Sequence, residues 1–123
     1  MDGPQEGTRT DGNTLTGIGC SPGTVEGTAR VLYDISEANV LKPGEILVAP
    51  HTDPGWTPLF LNCKAVVTEI GGFLSHGATV AREYGIPAVA NVTGATRFVN
   101  TGDVIQVNGT KGLVTIYESK DLN

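Results

Sequence analysis

Residues 64–88 set a strand, a glycine turn and a helix start in immediate succession, and that order dictates what the rest of the chain has to supply. Val66-Val67-Thr68-Glu69 follows Lys64-Ala65 as a β-branched run, and Gly71-Gly72 breaks it. Ser75 then precedes His76-Gly77-Ala78-Thr79-Val80-Ala81-Arg82-Glu83 as an N-cap. Gly77, Ala78 and Ala81 keep the first turns thin, so the helix can lie close to a sheet. Tyr84-Gly85-Ile86-Pro87 brings a glycine stop and a proline, which predicts a helix of about ten residues.

The flanking segments supply that sheet. Val25 to Leu32, Ile46 to Ala49, Ala88 to Asn91, Val104 to Val107 and Leu113 to Tyr117 read as short strands. Gly17 to Gly23 reads as a turn-rich loop, Lys42-Pro43-Gly44-Glu45 as a turn, and Asn108 to Gly112 as a hairpin loop. Ser36 to Val40 is expected to make one helical turn. Asp53 is expected to cap a helix that begins at Pro54, with Trp56, Leu59 and Phe60 as its packed face. Short strands with two or three helices make an α/β domain of layered sheets. Residues 1–14 are polar and almost free of large apolar side chains, so they are assigned to a flexible tail, 15–119 to one domain and 120–123 to a C-terminal tail.

A histidine where a glycine turn becomes a helix is well placed to carry a phosphoryl group. The helix start leaves backbone N–H groups unpaired and positive in potential, which suits an anion. An unperturbed imidazole is largely neutral near pH 7 and offers a ring nitrogen to phosphorus without a helper base. The plainer alternatives for His76 are a cap or a satisfied surface side chain.

Composition removes other classes. A chain of 123 residues with 39% hydrophobic content makes one domain with a modest core, and no Walker-type loop or dinucleotide fingerprint is present. A phosphoryl donor therefore has to be bound elsewhere. Eight Lys+Arg in a net charge of −5 give no basic cluster for nucleic acid. No apolar run approaches the ~18 residues of a membrane span and no signal segment opens the chain, which favours the cytoplasm. Cys20 and Cys63 read as idle free thiols, and together with His51 and His76 they lack the paired spacing of a metal site, so no metal is assigned.

Several of these segments resemble one family. Gly71-Gly72, Ser75-His76-Gly77-Ala78, Ala81-Arg82-Glu83 and Gly85-Ile86-Pro87-Ala88-Val89 are similar to the phosphohistidine signature of phosphoenolpyruvate (PEP)-utilising enzymes. Thr52-Asp53-Pro54-Gly55-Trp56-Thr57-Pro58 resembles an earlier motif of the synthase and rifampin-phosphotransferase branches. Ser21-Pro22-Gly23 with Gly27, and Gly102-Asp103 with Gly109 and Gly112, resemble the flanking turns. The resemblance spans roughly residues 15 to 117.

It implies a swivelling β/β/α domain whose histidine is phosphorylated at one site and discharged at another. His76 would be the phosphoryl acceptor and donor, with Ser75, Gly77, Ala78, Thr52 and Thr68 around the phosphate. Gly71, Gly72 and Arg82 would be structural or docking residues, since Arg82 lies about 240° around the helix from His76. The partners implied are an ATP-grasp nucleotide-binding domain and an acceptor-substrate domain, in cis or in trans. Mg²⁺ and ATP, or PEP, would be bound there and no cofactor by this chain. Leu74 stands where several relatives have a threonine, which argues against control by modification at that position. Glu69 and Glu83 are expected to be solvated. The competing function is a docking module without phosphohistidine, similar to the small mobile domain of aconitase-like hydratases.

Overall fold

A computed structural model describes residues 14–118. The tails assigned to 1–14 and 120–123 lie outside the described residues, except for Thr14, which opens the first strand. The strands are β1 (Thr14–Thr16), β2 (Ile18–Ser21), β3 (Thr24–Val31), β4 (Ile46–Ala49), β5 (Ala65–Thr68), β6 (Ala88–Ala90), β7 (Val104–Asn108) and β8 (Leu113–Glu118). The α-helices are α1 (Thr57–Phe60), α2 (His76–Tyr84) and α3 (Ala95–Phe98), with 3-10 helices at Ile35–Val40 and Pro54–Trp56.

Strand β4, strand β5 and strand β6 are buried at every position, as parallel strands covered on both faces must be. Their alternate side chains enter two different cores. Leu47, Val66, Ala88 and Ala90 meet Trp56, Leu59, Phe60, Ala78 and Ala81 in a core between sheet and helices. Ile46, Val48, Ala65, Val67 and Val89 face the other way, onto Ile105, Val107, Val114 and Ile116. The period of two along each strand thus produces three layers, sheet on sheet on helices, which is the expected β/β/α arrangement.

The strand order is β1-β8-β7-β3-β4-β5-β6-β2. The first half of β3 pairs antiparallel with β7, through Thr24↔Asn108 to Thr28↔Val104, and its second half pairs parallel with β4. A single long strand therefore turns the corner between the sheets. At the opposite corner β1 pairs with β8 and β2 with β6, and only Gly17 separates β1 from β2. The two ends of the order are therefore consecutive in the chain.

Gly17 to Gly23, expected as a loop, is in part the strand β2. Glycine is a poor strand residue, but here the backbones touch: a Cβ on Gly19 would strike the Gly109 carbonyl, and one on Gly109 would strike the Ser21 carbonyl. Ile35–Val40 runs longer than one turn because Asp34 and Glu37 form a capping box. The other turns match expectation, with Gly44 at φ +85° after Pro43 and Gly112 at φ +75° closing the β7–β8 hairpin.

Candidate active site

The parallel strands β4, β5 and β6 end side by side, Ala49 opposite Thr68, with Val67 opposite Val89 one residue before Thr68 and Ala90. Three loops leave from these C-terminal ends: His51 to Asp53, Glu69 to Ser75 and Asn91 to Gly94. Crevices of this kind gather the functional residues of open α/β sheets.

His76 is the first residue of α2 and Ser75 its N-cap, at φ −67° and ψ 160°. The Ser75 hydroxyl accepts from the Ala78 N–H at 3.3 Å and donates to the Gly72 carbonyl at 2.8 Å. The Ser75 N–H donates to the same carbonyl at 3.0 Å, and Gly71 takes the turn at φ +123°, where side chains are strained. Gly71 and Gly72 are therefore structural. The N–H groups of His76 and Gly77 have no partner among the described residues, as expected of a helix start.

The imidazole of His76 is exposed, and its Nε2 lies 3.1 Å from Thr57 Oγ1 at the first position of α1. Thr57 was quoted in a motif but given no role by sequence. Its partnership with His76 depends on α1 and α2 packing together, which no local pattern encodes. The run Asp53-Pro54 does start the α1 region: Asp53 Oδ1 accepts from the Gly55 N–H at 2.9 Å and a 3-10 turn leads into the helix.

Thr52, Thr68, Ser75, Gly77 and Ala78 line one pocket between α2 and the ends of β5 and β6. The structure thus brings together all five side chains or amides expected near phosphate. Gly77 has a further reason to be glycine, since a Cβ there would lie 2.6 Å from Thr52 Oγ1.

Arg82 turns away from this pocket's mouth. Its Nη1 donates to the Cys20 carbonyl at 2.8 Å, its Nη2 to Thr79 Oγ1 at 3.4 Å, and its guanidinium stacks 4.0 Å from the Phe73 ring centre. It ties α2 to β2 and to the loop ahead of His76, a structural role. Glu69 departs from the expectation of a solvated carboxylate. It accepts from Thr96 N–H at 2.8 Å and from Thr96 Oγ1 at 2.5 Å, because the start of α3 lacks a side-chain cap of its own. Glu83 is exposed, and His51 is exposed with no partner among the described residues.

Both cysteines are buried and free. Burial pushes the Cys20 thiol up and that of Cys63 up to about 12, so both stay protonated and unreactive at neutral pH. Among the described residues no three His, Cys, Asp or Glu side chains converge as a metal site. No described helix is long and apolar enough to cross a membrane.

The β/β/α domain thus holds out one imidazole from a helix start beside a hydroxyl-lined pocket. Residues 41–112 match the family described as PEP-utilising enzyme, mobile domain, and the chain belongs to that family. It is 50% identical over 102 residues to a rifampicin phosphotransferase of Bacillus cereus, covering 83% of this chain and 12% of that protein. The chain thus spans about an eighth of the length of such relatives. Among solved structures it is similar to an Enzyme I protein, with TM-score 0.58 and 28% identity over 68% of this chain and 35% of that one. It also shares the fold of a chain of Thermococcus kodakaraensis aconitase X, with TM-score 0.66 and 21% identity over 87% of this chain and all of that one.

Proposed function

We propose that this chain is the phosphoryl-carrier domain of a multidomain phosphotransferase and that His76 carries the phosphoryl group. The observation that supports it most is the exposed imidazole at the start of α2, next to two unpartnered backbone N–H groups. A ring nitrogen attacks the β-phosphorus of ATP, the N–P bond forms and the P–O bond to AMP breaks; water then cleaves the β–γ P–O bond and carries the γ-phosphoryl group away as inorganic phosphate, which leaves one phosphoryl group on the ring. In the second half-reaction an acceptor hydroxyl or enolate oxygen attacks, the N–P bond breaks and the ring recovers its lone pair. Catalysis within this chain is positioning and anion stabilisation, since phosphoryl transfer asks for little covalent help from protein.

Thr57 selects which nitrogen is ready. When its hydroxyl accepts from Nε2–H, Nδ1 carries the free lone pair; when it donates, the Nε2 lone pair is covered until the contact opens. Ser75 holds the turn and occupies the Ala78 N–H at the helix start, while Thr52, Thr68 and the Gly77 amide are left to phosphate oxygens. The donor is an ATP-grasp domain that binds ATP and Mg²⁺ and transfers the β-phosphoryl group. The acceptor is a small molecule such as pyruvate or an antibiotic hydroxyl, held by a further domain. An ATP-dependent role of this kind belongs in the cytoplasm.

The test is incubation of the native chain and His76→Ala with an active ATP-grasp domain, Mg²⁺ and β-labelled ATP. Acid-labile, base-stable label on the native chain alone is expected. Absence of label with a verified donor would overturn the proposal in favour of a docking module that forms no phosphohistidine.

A further inference from the structure

Phe73 and Leu74 occupy the two corner positions of a tight turn, where large apolar side chains are out of place. The Ser75 N–H donates to the Gly72 carbonyl at 3.0 Å and closes the turn around them. Such corners favour Pro, Asn, Asp, Ser and Gly. Here Leu74 is 88% exposed, Phe73 54%, and Ile70 at the entry to the loop 66%. Single exposed apolar residues need no explanation, but three within one short loop form a patch that implies a cover.

The loop is also held rigid. The Ser75 hydroxyl donates to the Gly72 carbonyl at 2.8 Å, and the Ile70 N–H donates to the Pro50 carbonyl at 3.1 Å. Arg82, fixed on the Cys20 carbonyl, stacks 4.0 Å from the centre of the Phe73 ring. An apolar knob fixed in advance loses little freedom when a partner covers it. Leu74 stands two residues before His76, so their Cα atoms are no more than about 7 Å apart. Even a small transient interface takes about 600 Å² from each partner, a disc roughly 27 Å across. Any domain that brings phosphorus to the imidazole therefore covers Leu74 as well.

Charge decides which domain the knob suits. Residues 70–81 include no charged side chain, although 17% of the chain is charged. The flanking Glu69 carboxylate is taken by Thr96, and the Arg82 guanidinium by the Cys20 carbonyl. A nucleoside triphosphate brought up to His76 thus meets no carboxylate from this stretch that would repel it. A neutral acceptor hydroxyl asks for no such surface.

We infer that Ile70, Phe73 and Leu74 are the docking element for the phosphoryl-donor domain and seat in an apolar hollow beside its nucleotide phosphates. The inference rests on the carrier proposal and adds to it the surface by which the donor selects this chain. Seating the knob also excludes water around the ring nitrogen, where charge moves during transfer.

The experiment measures loading of the full chain by an active ATP-grasp domain with Mg²⁺ and β-labelled ATP, as a function of chain concentration. Leu74→Gln, similar in size but polar, should raise the KM for the chain about tenfold, the effect of withdrawing one buried apolar side chain, and leave kcat within about twofold. Leu74→Met should restore it, and Leu74→Asp should lose more than Leu74→Gln because it sets a charge against the triphosphate. Direct chemical phosphorylation of His76 by phosphoramidate, which needs no docking, should be equal in all four chains. An unchanged KM in Leu74→Gln, or a parallel loss with phosphoramidate, would overturn the inference. So would a native dimer in sedimentation that Leu74→Gln dissolves, since the cover would then be a second copy of the chain. Label on the native chain with indifference to Leu74 would sink the docking element and leave the carrier proposal standing; no label from a verified donor would remove both.

Discussion

Gly77→Ala places helix propensity and packing in opposition at one atom. Alanine is favoured over glycine by about 0.5–1 kcal/mol in a helix, and propensity alone predicts a more stable protein. The added Cβ would lie 2.6 Å from Thr52 Oγ1, inside any normal contact, but an ordinary 3.8 Å from Phe60 Cζ, so Thr52 alone is displaced. Thr52 is half-buried and its hydroxyl has no bond to lose, which places the overpacking cost near the low end of its range, about 1.5 kcal/mol. The net expectation is a loss of about 1 kcal/mol in the native background and a gain of about 0.5 kcal/mol when Thr52 is already alanine. Urea unfolding of the native chain, both single variants and the double variant at pH 7 measures this cycle, with an expected coupling of about 1.5 kcal/mol. Equal stabilisation by Gly77→Ala in both backgrounds would refute the contact and leave only helix propensity.

Two further outcomes follow from other contacts. Arg82→Met keeps an apolar side chain against Phe73 but removes the donor to the Cys20 carbonyl, and calorimetry should show a loss of about 1–2 kcal/mol. An unchanged melting temperature would show that the guanidinium does not tie α2 to β2. Burial holds the folded Cys63 thiol at about 12 against an ordinary value of 9.0, so the unfolded chain releases its proton first. Stability from this group is therefore full below pH 9 and falls as pH rises toward 12, and Cys63→Ala should flatten that slope in urea titrations. An identical slope in the variant would place the alkaline loss in other groups.

The central strands were legible because buried parallel strands leave an unbroken apolar run, as in Ala65-Val66-Val67. The histidine helix was legible because its signals are local: Ser75 caps it, and Gly85 at φ +72° ends it. β2 was not, since Gly17 and Gly19 look like loop residues until Gly109 and Gly112 are seen against them. The short helix α3 begins at Gly94 with no capping side chain of its own, and its cap comes from Glu69, 27 positions earlier. Glu69 was misjudged for the same reason. Within the site, Ser75, Gly77 and Ala78 belong to one continuous segment, whereas the contact of Thr57 with His76 and the approach of Thr52 to Gly77 exist only after α1 and α2 pack.

The passage of the chain from one layer to the other at Gly17 and along β3 limits how other proteins can take hold of the domain. Most sheet proteins present a border strand whose free amides a visitor can zip onto, and such pairing is extensive and slow to undo. Here the border strands of one layer continue into those of the other, and the outward Glu26 carbonyl of β3 is occupied by Lys64 Nζ at 3.0 Å. The loop tips offer a visitor side chains instead, among them Leu74, two residues before His76 and 88% exposed. Grip of that kind is small and quickly released, as the proposed passage of one imidazole between two domains would require.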